Sequence, residues 1–453
     1  MKNIRTIIFY ATLLGLVLMC ALVPQDLASR PAIMAGGLLV FAILNWILET
    51  VPIAVSSLVI IVLVPFTGLR TFSQAIAGSF GNSIFGFFLG VLLLSSAFKA
   101  TQLGELIARF LFRVFGSRPR FVVLGIMTCG ALLAMWITEV AAAAVVFPIA
   151  MSIWERTKDR NDHAAFGRAI MLGVAWGCAF GGVATPIATG ANLIAIEYLE
   201  SMSGITITFG QWMLIGVPIC ITLLLAGWLV LTLPLKNSNP IEMGDKQLAF
   251  GPKEIRLAVI FLLAVLLWIF GDKIGLGSHH VALLAAIALF LPGVEVMEWK
   301  KAIHAISWDS IMLIACGVLL GDLLHKTGVA EQLANALFMP GLMGGSLFVR
   351  GMVIVLMVSV LKILFSSNTV SGIVLVPIMI SLANANSLSP WGLVAPCIFT
   401  SALSLIVISS SPVNVIPYAS KAFTPKDMAR YGIIMTLLTA VIIGFYMMVF
   451  NVN

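Results

Sequence analysis

Charged side chains are scarce in this sequence. Asp, Glu, Lys and Arg make up 10% of its 453 residues, whereas 60% of the residues are hydrophobic. The mean hydropathy is +1.10. Because a soluble domain carries roughly 25% charged residues, this composition excludes an ordinary soluble protein. It predicts a chain embedded in a lipid bilayer.

The sequence also lacks the patterns of metal centres and intramembrane enzymes. Its six cysteines lie in apolar segments, without the spacing of a zinc site or a disulfide framework. None of its histidines is spaced for metal, and no HExxH motif or buried carboxylate pair is evident. We therefore predict neither an enzyme nor an organic cofactor. The formal net charge of +7 reflects loop topology and indicates no nucleic-acid partner.

What the sequence does contain is a series of apolar stretches of about 17–25 residues, each long enough to cross a hydrocarbon core of about 30 Å. We predict an all-α integral membrane protein with about 11 transmembrane helices and two re-entrant hairpins. The hairpins are placed at 121–155 and 347–384, where each half is short and the centre is polar. The predicted spans are 6–24, 31–48, 51–67, 84–103, 169–200, 210–235, 254–271, 279–294, 307–325, 390–418 and 431–450.

The basic residues predict an orientation. With both hairpins returning to the side from which they start, 19 of the 26 Lys and Arg residues fall on one side of the membrane and five on the other. Lys and Arg concentrate in cytoplasmic loops, so we predict a cytoplasmic N-terminus. Short loops favour a bacterial inner membrane.

The two hairpins resemble each other. The first reads LLAMWITEVAAAAVVFPIA (132–150) and the second LKILFSSNTVSGIVLVPIM (361–379). Glu139 precedes Pro148 by the interval that separates Asn368 from Pro377. A second broken segment follows each hairpin, ATPIATGANLIA (184–195) and SSSPVNVIPYA (409–419). Paired interruptions in two halves indicate the binding site of a secondary transporter, and they suit alternating access better than a channel.

The similarity extends to FFLGVLLLSSAFKATQLGELIARFLF (87–112) and MLIACGVLLGDLLHKTGVAEQLANALF (312–338), which precede the hairpins. We predict a first span in 1–30, a first repeat in 31–235, a cytoplasmic linker in 236–253 and a second repeat in 254–453. Five spans and one hairpin in each half turn the second repeat upside down in the membrane.

Helix ends at the breaks suit ion binding, because free N–H groups attract anions and free carbonyls attract cations. Side-chain oxygens at the breaks add to this chemistry: Thr189, Asn192, Ser367, Asn368, Thr369, Ser411 and Asn414. Gly190 and Pro412 favour irregular backbone there. The alternative is that these polar groups only hold helices together.

Two charges fall at bilayer depth, where a charge costs at least about 2.5–3.5 kcal/mol. Glu139 occupies the centre of the first tripeptide, and Lys362 precedes the second. Glu139 is a candidate protonation or cation site, and Lys362 a candidate fixed charge that replaces a bound cation. A structural ion pair is the alternative. Asp309 and Asp322 are explained equally well by helix capping or packing.

At these residues the chain resembles the divalent anion:sodium symporter family (DASS), whose members carry a Ser-Asn-Thr tripeptide in each of two hairpins. Ser367-Asn368-Thr369 is an intact copy, and WILETVPIAVSSLVIIVLVPFTG (46–68) and ISWDSIMLIACGVLL (306–320) are similar to further motifs of the family. The resemblance implies transport of divalent anions such as C4-dicarboxylates, citrate or sulfate, with sodium coupling. It also implies a homodimer and elevator-like movement of the hairpin-bearing part.

The first motif departs from the family pattern. Its tripeptide is Thr138-Glu139-Val140, so a carboxylate replaces the amide. The family's Pro-Pro is Gly190-Ala191 in the first downstream segment, whereas the second retains Pro412 and Asn414. A carboxylate strengthens cation binding but repels a dianion, so a protonated Glu139 makes proton coupling plausible. The second cation site is expected to survive.

The leading hypothesis is a sodium-coupled symporter of a small divalent anion, with C4-dicarboxylates favoured. The alternative is a proton-coupled or sodium-independent carrier or exchanger of a dicarboxylate, citrate or sulfate, in which Glu139 and Lys362 replace sodium sites. Candidate substrate-binding residues are Thr138, Glu139, Thr189, Asn368, Thr369, Ser411 and Pro412. Candidate Na+-binding residues are Glu139, Ala188, Ser366, Ser367, Asn368 and Ser410, and the coupling candidates are Glu139 and Lys362.

Overall fold

The computed structural model describes residues 2–235, 240–241, 251–337 and 345–450. Every regular element in these ranges is a helix. Most of the predicted linker, 236–253, lies outside the described residues.

The first half of the chain forms eleven α-helices. They are α1 (Lys2–Leu22), α2 (Arg30–Leu48), α3 (Ile53–Leu63), α4 (Phe72–Ser79), α5 (Ser83–Ala100), α6 (Leu103–Phe115), α7 (Pro119–Ala134), α8 (Glu139–Glu155), α9 (His163–Ala184), α10 (Gly190–Ser203) and α11 (Phe209–Thr232). A 3₁₀ turn, Val64–Thr67, continues α3.

The second half, as far as it is described, forms ten α-helices. They are α12 (Pro252–Phe270), α13 (Ser278–Ala288), α14 (Trp299–Ala305), α15 (Trp308–Lys326), α16 (Val329–Leu337), α17 (Leu347–Leu361), α18 (Asn368–Ala385), α19 (Pro390–Ser401), α20 (Pro412–Tyr418) and α21 (Pro425–Val449). Further 3₁₀ turns are Gly271–Ile274, Lys362–Leu364 and Ile408–Ser410.

The helices have the composition of membrane spans. Among the described residues, nine helices are long and apolar enough to cross a bilayer. Large apolar side chains such as Ile7, Leu262 and Leu437 are more than half exposed, as expected of residues that face lipid. The predicted all-α membrane fold is therefore confirmed.

Two of the predicted spans are interrupted. The segment 169–200 is divided into α9 and α10 by irregular backbone at 185–189, and 390–418 is divided into α19 and α20 by 402–411. The predicted span 279–294 contains only α13, whose 11 residues are too few to cross a bilayer alone.

Each predicted hairpin is a pair of helices with a break between them. In the first, α7 and α8 have 16 and 17 residues and pack against each other. In the second, α17 has 15 residues and runs into the turn Lys362–Leu364 before α18, which has 18. With that turn, α17 is long enough to span, as is α18, so the re-entrant path of the second hairpin stays a prediction.

Helix α9 forms the centre of the first half and is almost completely buried. Gly173, Gly177 and Gly181 lie at four-residue intervals along the face that packs against α7. A Cβ atom on Gly177 would lie 2.7 Å from the Cα atom of Met127 in α7. Small residues at this spacing allow two membrane helices to approach closely, and this contact fixes the first hairpin against α9.

The two halves meet through several pairs of helices, one of which adjoins the breaks. Helix α10 packs against α18, and α11 packs against α21. Helices α5 and α13 form a separate contact, as do α3 and α15. The two hairpin breaks and the two interrupted spans are thereby brought to one region.

Candidate functional site

Four helices begin at this region, and each starts with a hydroxyl side chain. Thr138 precedes α8, Thr189 precedes α10, Ser367 precedes α18 and Ser411 precedes α20. Each hydroxyl accepts a hydrogen bond from a backbone N–H group two or three residues further on, at 3.3–3.5 Å. Ser and Thr are preferred at this position because they satisfy one of the N–H groups that a helix start leaves free. The remaining N–H groups make each start electropositive.

A cavity of about 560 Å³ lies where these helices begin. All seven candidate substrate-binding residues line it: Thr138, Glu139, Thr189, Asn368, Thr369, Ser411 and Pro412. Of the remaining candidates, Ala188, Ser366 and Ser367 also line the cavity, whereas Lys362 and Ser410 are buried behind its wall. The structure thus brings the predicted site residues of both halves together, and their roles stay predictions.

The amide of Asn368 joins the two buried charges. Its Nδ2 donates to Glu139 Oε1, and its Oδ1 accepts from Lys362 Nζ. Glu139, Asn368 and Lys362 are 7%, 5% and 2% exposed. A buried charge is costly unless it is paired and hydrogen-bonded. The amide therefore connects an acidic and a basic group that make no direct ion pair.

One oxygen of Glu139 remains available. Among the described residues, Oε2 has no hydrogen-bond partner although it is buried. A Cβ atom on Gly182 would lie 3.2 Å from Glu139 Oε2 and 3.2 Å from Thr189 Cγ2, so this oxygen faces the break between α9 and α10. Asn192 Oδ1 is likewise buried without a partner in the part of the chain described. Both oxygens have the chemistry of cation ligands.

An asparagine closes each interrupted span in the same way. Asn192 Nδ2 donates to the carbonyls of Gly182 and Thr185, at 2.8 and 2.9 Å. Asn414 Nδ2 donates to the carbonyls of Ser404 and Val407, at 2.7 and 3.2 Å, which are residues at the same two sequence separations. Each amide thus satisfies two backbone carbonyls that the break leaves without helical partners.

The candidate Na+-binding residues near the second hairpin differ in their contacts from those near the first. Lys362 Nζ donates to Asn368 Oδ1 and to the carbonyl of Ser401, so an ammonium group occupies oxygens that a metal cation would use. Ser410 Oγ donates to the carbonyl of Val407 at 2.6 Å. The sequence led us to expect the second site to survive and the first to be altered. Among the described residues, each interrupted span keeps a buried asparagine oxygen without a partner, Asn192 Oδ1 in the first and Asn414 Oδ1 in the second. The difference is that a lysine engages the second hairpin break, whereas Glu139 Oε2 at the first has no partner.

Sequence reasoning did not select several residues of the cavity wall: Glu49, Ser95, Lys99, Ser307 and Asp309. Asp309 Oδ1 accepts from the backbone N–H of Ala54 at 2.9 Å and so caps α3. Lys99 had a sequence signal, since it corresponds to Lys326 in the similar segment before the second hairpin.

The other weighed acidic residue lies away from the cavity. Asp322 forms ion pairs with Arg70 and, at 3.0 Å, with Lys326. These ion pairs agree with the packing role that the sequence allowed for Asp322.

Broken helices whose starts converge on a cavity inside an all-helical membrane protein define the chain as a transporter-type protein, with polar backbone only where it is buried or lines a cavity. The family model described as "Sodium:sulfate symporter transmembrane region" matches residues 2–452. The chain belongs to this family, and the membership predicted from the hairpin motifs is confirmed.

Curated relatives cover most of the chain. It is 28% identical over 425 residues to an uncharacterized transporter of Haemophilus influenzae, with 90% of this chain and 89% of the relative covered. It is 26% identical over 439 residues to the sodium-dependent dicarboxylate transporter SdcS of Staphylococcus saprophyticus, covering 88% and 82% of the two chains. The prediction that the chain is not an enzyme is borne out by this family of transporters.

The fold is also similar to a solved structure. The crystal structure of the Alcanivorax borkumensis YdaH transporter matches with a TM-score of 0.60 and 14% identity, covering 82% of this chain and 86% of that one. At this identity the likeness supports the fold alone.

Proposed function

We propose that the chain is a secondary active transporter that moves small divalent anions, C4-dicarboxylates above all, by sodium-coupled symport. The observation that carries this proposal is the convergence of helix starts and hydroxyl side chains from both halves on one cavity. The relatives named sodium-dependent dicarboxylate transporter support the same substrate class and coupling ion.

The cavity is suited to bind one carboxylate group at the break of each hairpin. The starts of α8, α10 and α18 direct partial positive charge towards it. Thr138, Thr189 and Thr369 supply hydroxyl donors on the same wall. A dianion with two carboxylates is able to use a helix start from each half at once, which a monoanion is not.

The sodium ion binds, in this proposal, at the first break. Glu139 Oε2 and Asn192 Oδ1 are buried oxygens without partners in the described chain, and unwound backbone beside a broken helix supplies carbonyls for Na+ in transporters of this kind. Lys362 provides a fixed positive charge at the second break. One sodium ion, rather than a symmetric pair, is therefore expected to accompany each anion at these two positions.

Transport follows an elevator-like path in this proposal. The part that carries the hairpins and interrupted spans, α7–α11 and α17–α21, is internally packed, as α9 with α7 and α17 with α21 illustrate. It would move against the remainder, whose contacts include α5 with α13 and α3 with α15. Each of the two parts contains helices from both predicted repeats, 31–235 and 254–453.

A second candidate function is favoured by the Glu139–Asn368–Lys362 connection. If Glu139 carries a proton and Lys362 a fixed charge, the chain is a proton-coupled carrier or a sodium-independent exchanger of a dicarboxylate, citrate or sulfate. The observation behind it is the ammonium group that already engages Asn368 Oδ1 and the Ser401 carbonyl.

The deciding experiment is uptake of radiolabelled succinate by proteoliposomes under an inward sodium gradient, an inward proton gradient, or neither. Sodium-driven uptake that saturates with a Hill coefficient near one for Na+ supports the first candidate. Uptake driven only by protons, and lost in Glu139→Gln, supports the second. Transport of sulfate or citrate but not succinate would refute the C4-dicarboxylate assignment.

The setting of the protein is part of the proposal. We infer a bacterial inner membrane, a cytoplasmic N-terminus and a homodimer built on the part that does not carry the hairpins. Crosslinking in native membranes, followed by electrophoresis, tests the dimer, because a monomer yields no crosslinked band at twice the chain mass.

A further inference from the structure

Lys99 is the one basic residue among the described residues that line the cavity. It lies in the last turn of α5 and is exposed. In the part of the chain described, it takes part in no ion pair and no hydrogen bond. A lysine near the end of an apolar helix normally extends to water or to a counter-charge, whereas this one faces the cavity that holds the hairpin breaks.

The corresponding lysine of the second half is neutralised. Gly90 and Gly317 begin matching Gly-Val-Leu-Leu runs, and Lys99 and Lys326 follow them at the same interval. Lys326 pairs with Asp322, one turn earlier in α15, at 3.0 Å. The position that corresponds to Asp322 is Ser95, which itself lines the cavity. Loss of the carboxylate leaves the charge of Lys99 uncompensated.

The other acidic groups of the cavity wall are differently placed. Glu139 Oε1 accepts from Asn368 Nδ2 and Asp309 Oδ1 accepts from the backbone N–H of Ala54, and among the described residues neither carboxylate forms an ion pair with Lys99. Glu49 lies at the exposed end of α2. A positive charge on an open cavity wall therefore has room for an anionic partner from solution.

Helix α5 belongs to a different wall from the hairpin breaks. It packs closely against α13, where a Cβ atom on Gly90 would lie 2.7 Å from the carbonyl oxygen of Ala282. Just beyond its end, the backbone N–H of Gln102 donates to Glu254 of α12 at 3.2 Å. The end of α5 that carries Lys99 is thus held against α12 and α13.

We propose that Lys99 is a specificity-determining residue that binds one carboxylate of the transported anion while the cavity is open on this side, with the hairpin breaks holding the other carboxylate. This inference rests on the proposed function. Since the exposed lining residues Glu49, Lys99 and Ser307 lie at the predicted cytoplasmic end, Lys99 acts at the cytoplasmic face only.

The test compares wild type with Lys99→Gln and Lys99→Arg in inside-out and right-side-out membrane vesicles, with radiolabelled succinate and sulfate as probes. A lost charged hydrogen bond raises KM by about tenfold, so Lys99→Gln is expected to do so in inside-out vesicles with little change in maximal rate. In right-side-out vesicles its KM changes by less than about twofold. Lys99→Arg retains the wild-type KM, and Lys326→Gln is the matched control.

An unchanged KM for Lys99→Gln at both faces, or an equal increase at both faces, would overturn the role of Lys99. An equal increase for Lys326→Gln would do the same, because that residue lies at the other end of α15 from the cavity. If wild type carries sulfate and not succinate, the dicarboxylate assignment fails and the same KM comparison with sulfate decides the role of Lys99. Transport of neither anion would refute both proposals.

Discussion

At the scale of single residues, the central feature is an amide that connects groups from both halves of the chain. Asn368 donates to Glu139 of the first hairpin and accepts from Lys362 of the second. It also accepts a weaker bond from Ser404 at 3.4 Å and donates to the carbonyl of Ala402 at 3.4 Å. One side chain therefore orients the carboxylate, the ammonium group and the irregular backbone after α19.

Replacement of Asn368 by Ala is expected to abolish transport while the protein remains folded. Alanine removes the amide that orients Glu139 and Lys362, yet it leaves the helix start intact because Ser367 still caps α18. Succinate uptake in proteoliposomes and size-exclusion chromatography measure the two effects. Asn386→Ala is the control, since that exposed amide at the other end of α18 donates to the carbonyl of Leu382 and, among the described residues, to no other group. Normal uptake by Asn368→Ala would remove the second hairpin from the site.

The two buried charges are expected to depend on each other for stability. Glu139→Gln leaves the buried ammonium group of Lys362 without a nearby carboxylate, and Lys362→Met leaves the carboxylate without its counter-charge. Breaking a direct buried pair costs about 3–5 kcal/mol, and each single change is expected to cost less than this because Asn368 lies between the two charged groups. The double variant should recover part of that loss. Thermal unfolding of the four proteins in detergent measures the coupling.

Additive losses in the double variant would mean that Glu139 and Lys362 do not interact. Glu155→Gln is the control for Glu139→Gln, because Glu155 is exposed at the other end of α8. It should leave the melting temperature unchanged.

At the scale of elements, the glycines of α9 determine how closely the first hairpin approaches the centre of the fold. Gly177→Ala would direct a methyl group at the Met127 backbone, 2.7 Å from its Cα atom. Because backbone cannot rotate away as a side chain does, α7 must shift, and overpacking of this kind costs about 1–3 kcal/mol. A lower melting temperature in detergent and slower uptake are expected. Gly210→Ala in α11 is the control, with nothing within 4 Å of its added methyl group, and equal stability of the two variants would contradict the prediction.

The helical elements were largely predictable from local sequence. Apolar runs have the length of membrane spans, and the breaks at Thr138 and Ser367 were indicated by matching polar tripeptides. In the sequence, the break between α9 and α10 appeared only as a short polar interruption within 169–200. The reason is that the apolar run continues from Ala184 to Ile196 with few charges. The packing of α9 against α7 was not anticipated, since a glycine interval indicates a close contact without naming the partner helix.

The sequence predicted several of the residues that line the cavity, but it did not predict the hydrogen bonds and helix contacts among them. Thr138, Thr189, Asn368 and Ser411 were chosen because each adjoins a break, and all four line the cavity. That Lys362 bonds to Asn368 could not be read from spacing, because the irregular backbone between them sets the direction of both side chains. The place of Lys99 on the cavity wall depends on how α5 packs against α13, which local sequence does not specify.

At the scale of the whole molecule, the predicted orientation is testable by labelling. Lys300 is exposed on the side predicted to be cytoplasmic, and Lys326, whose side chain is 62% exposed, on the opposite side. A membrane-impermeant maleimide added to intact cells should label Lys326→Cys and not Lys300→Cys. In inside-out vesicles the pattern should reverse. The parent chain is a usable background, because five of its six cysteines are buried, and labelling of both variants from one side would refute the topology.

Glu139 and Asn368 touch although 229 residues separate them, and that separation equals the offset between the two hairpin motifs. Each is therefore the other's counterpart in the predicted repeat. A position that contacts its own counterpart lies on the rotation axis that relates two copies, so the predicted repeat has its pseudo-two-fold axis between these side chains. An acid on one side of the axis and an amide on the other break the symmetry at its centre. In the proposed alternating-access transport, the inward-open and outward-open states are then expected to be unequal in free energy, so that the unloaded protein spends more of its time in one of them.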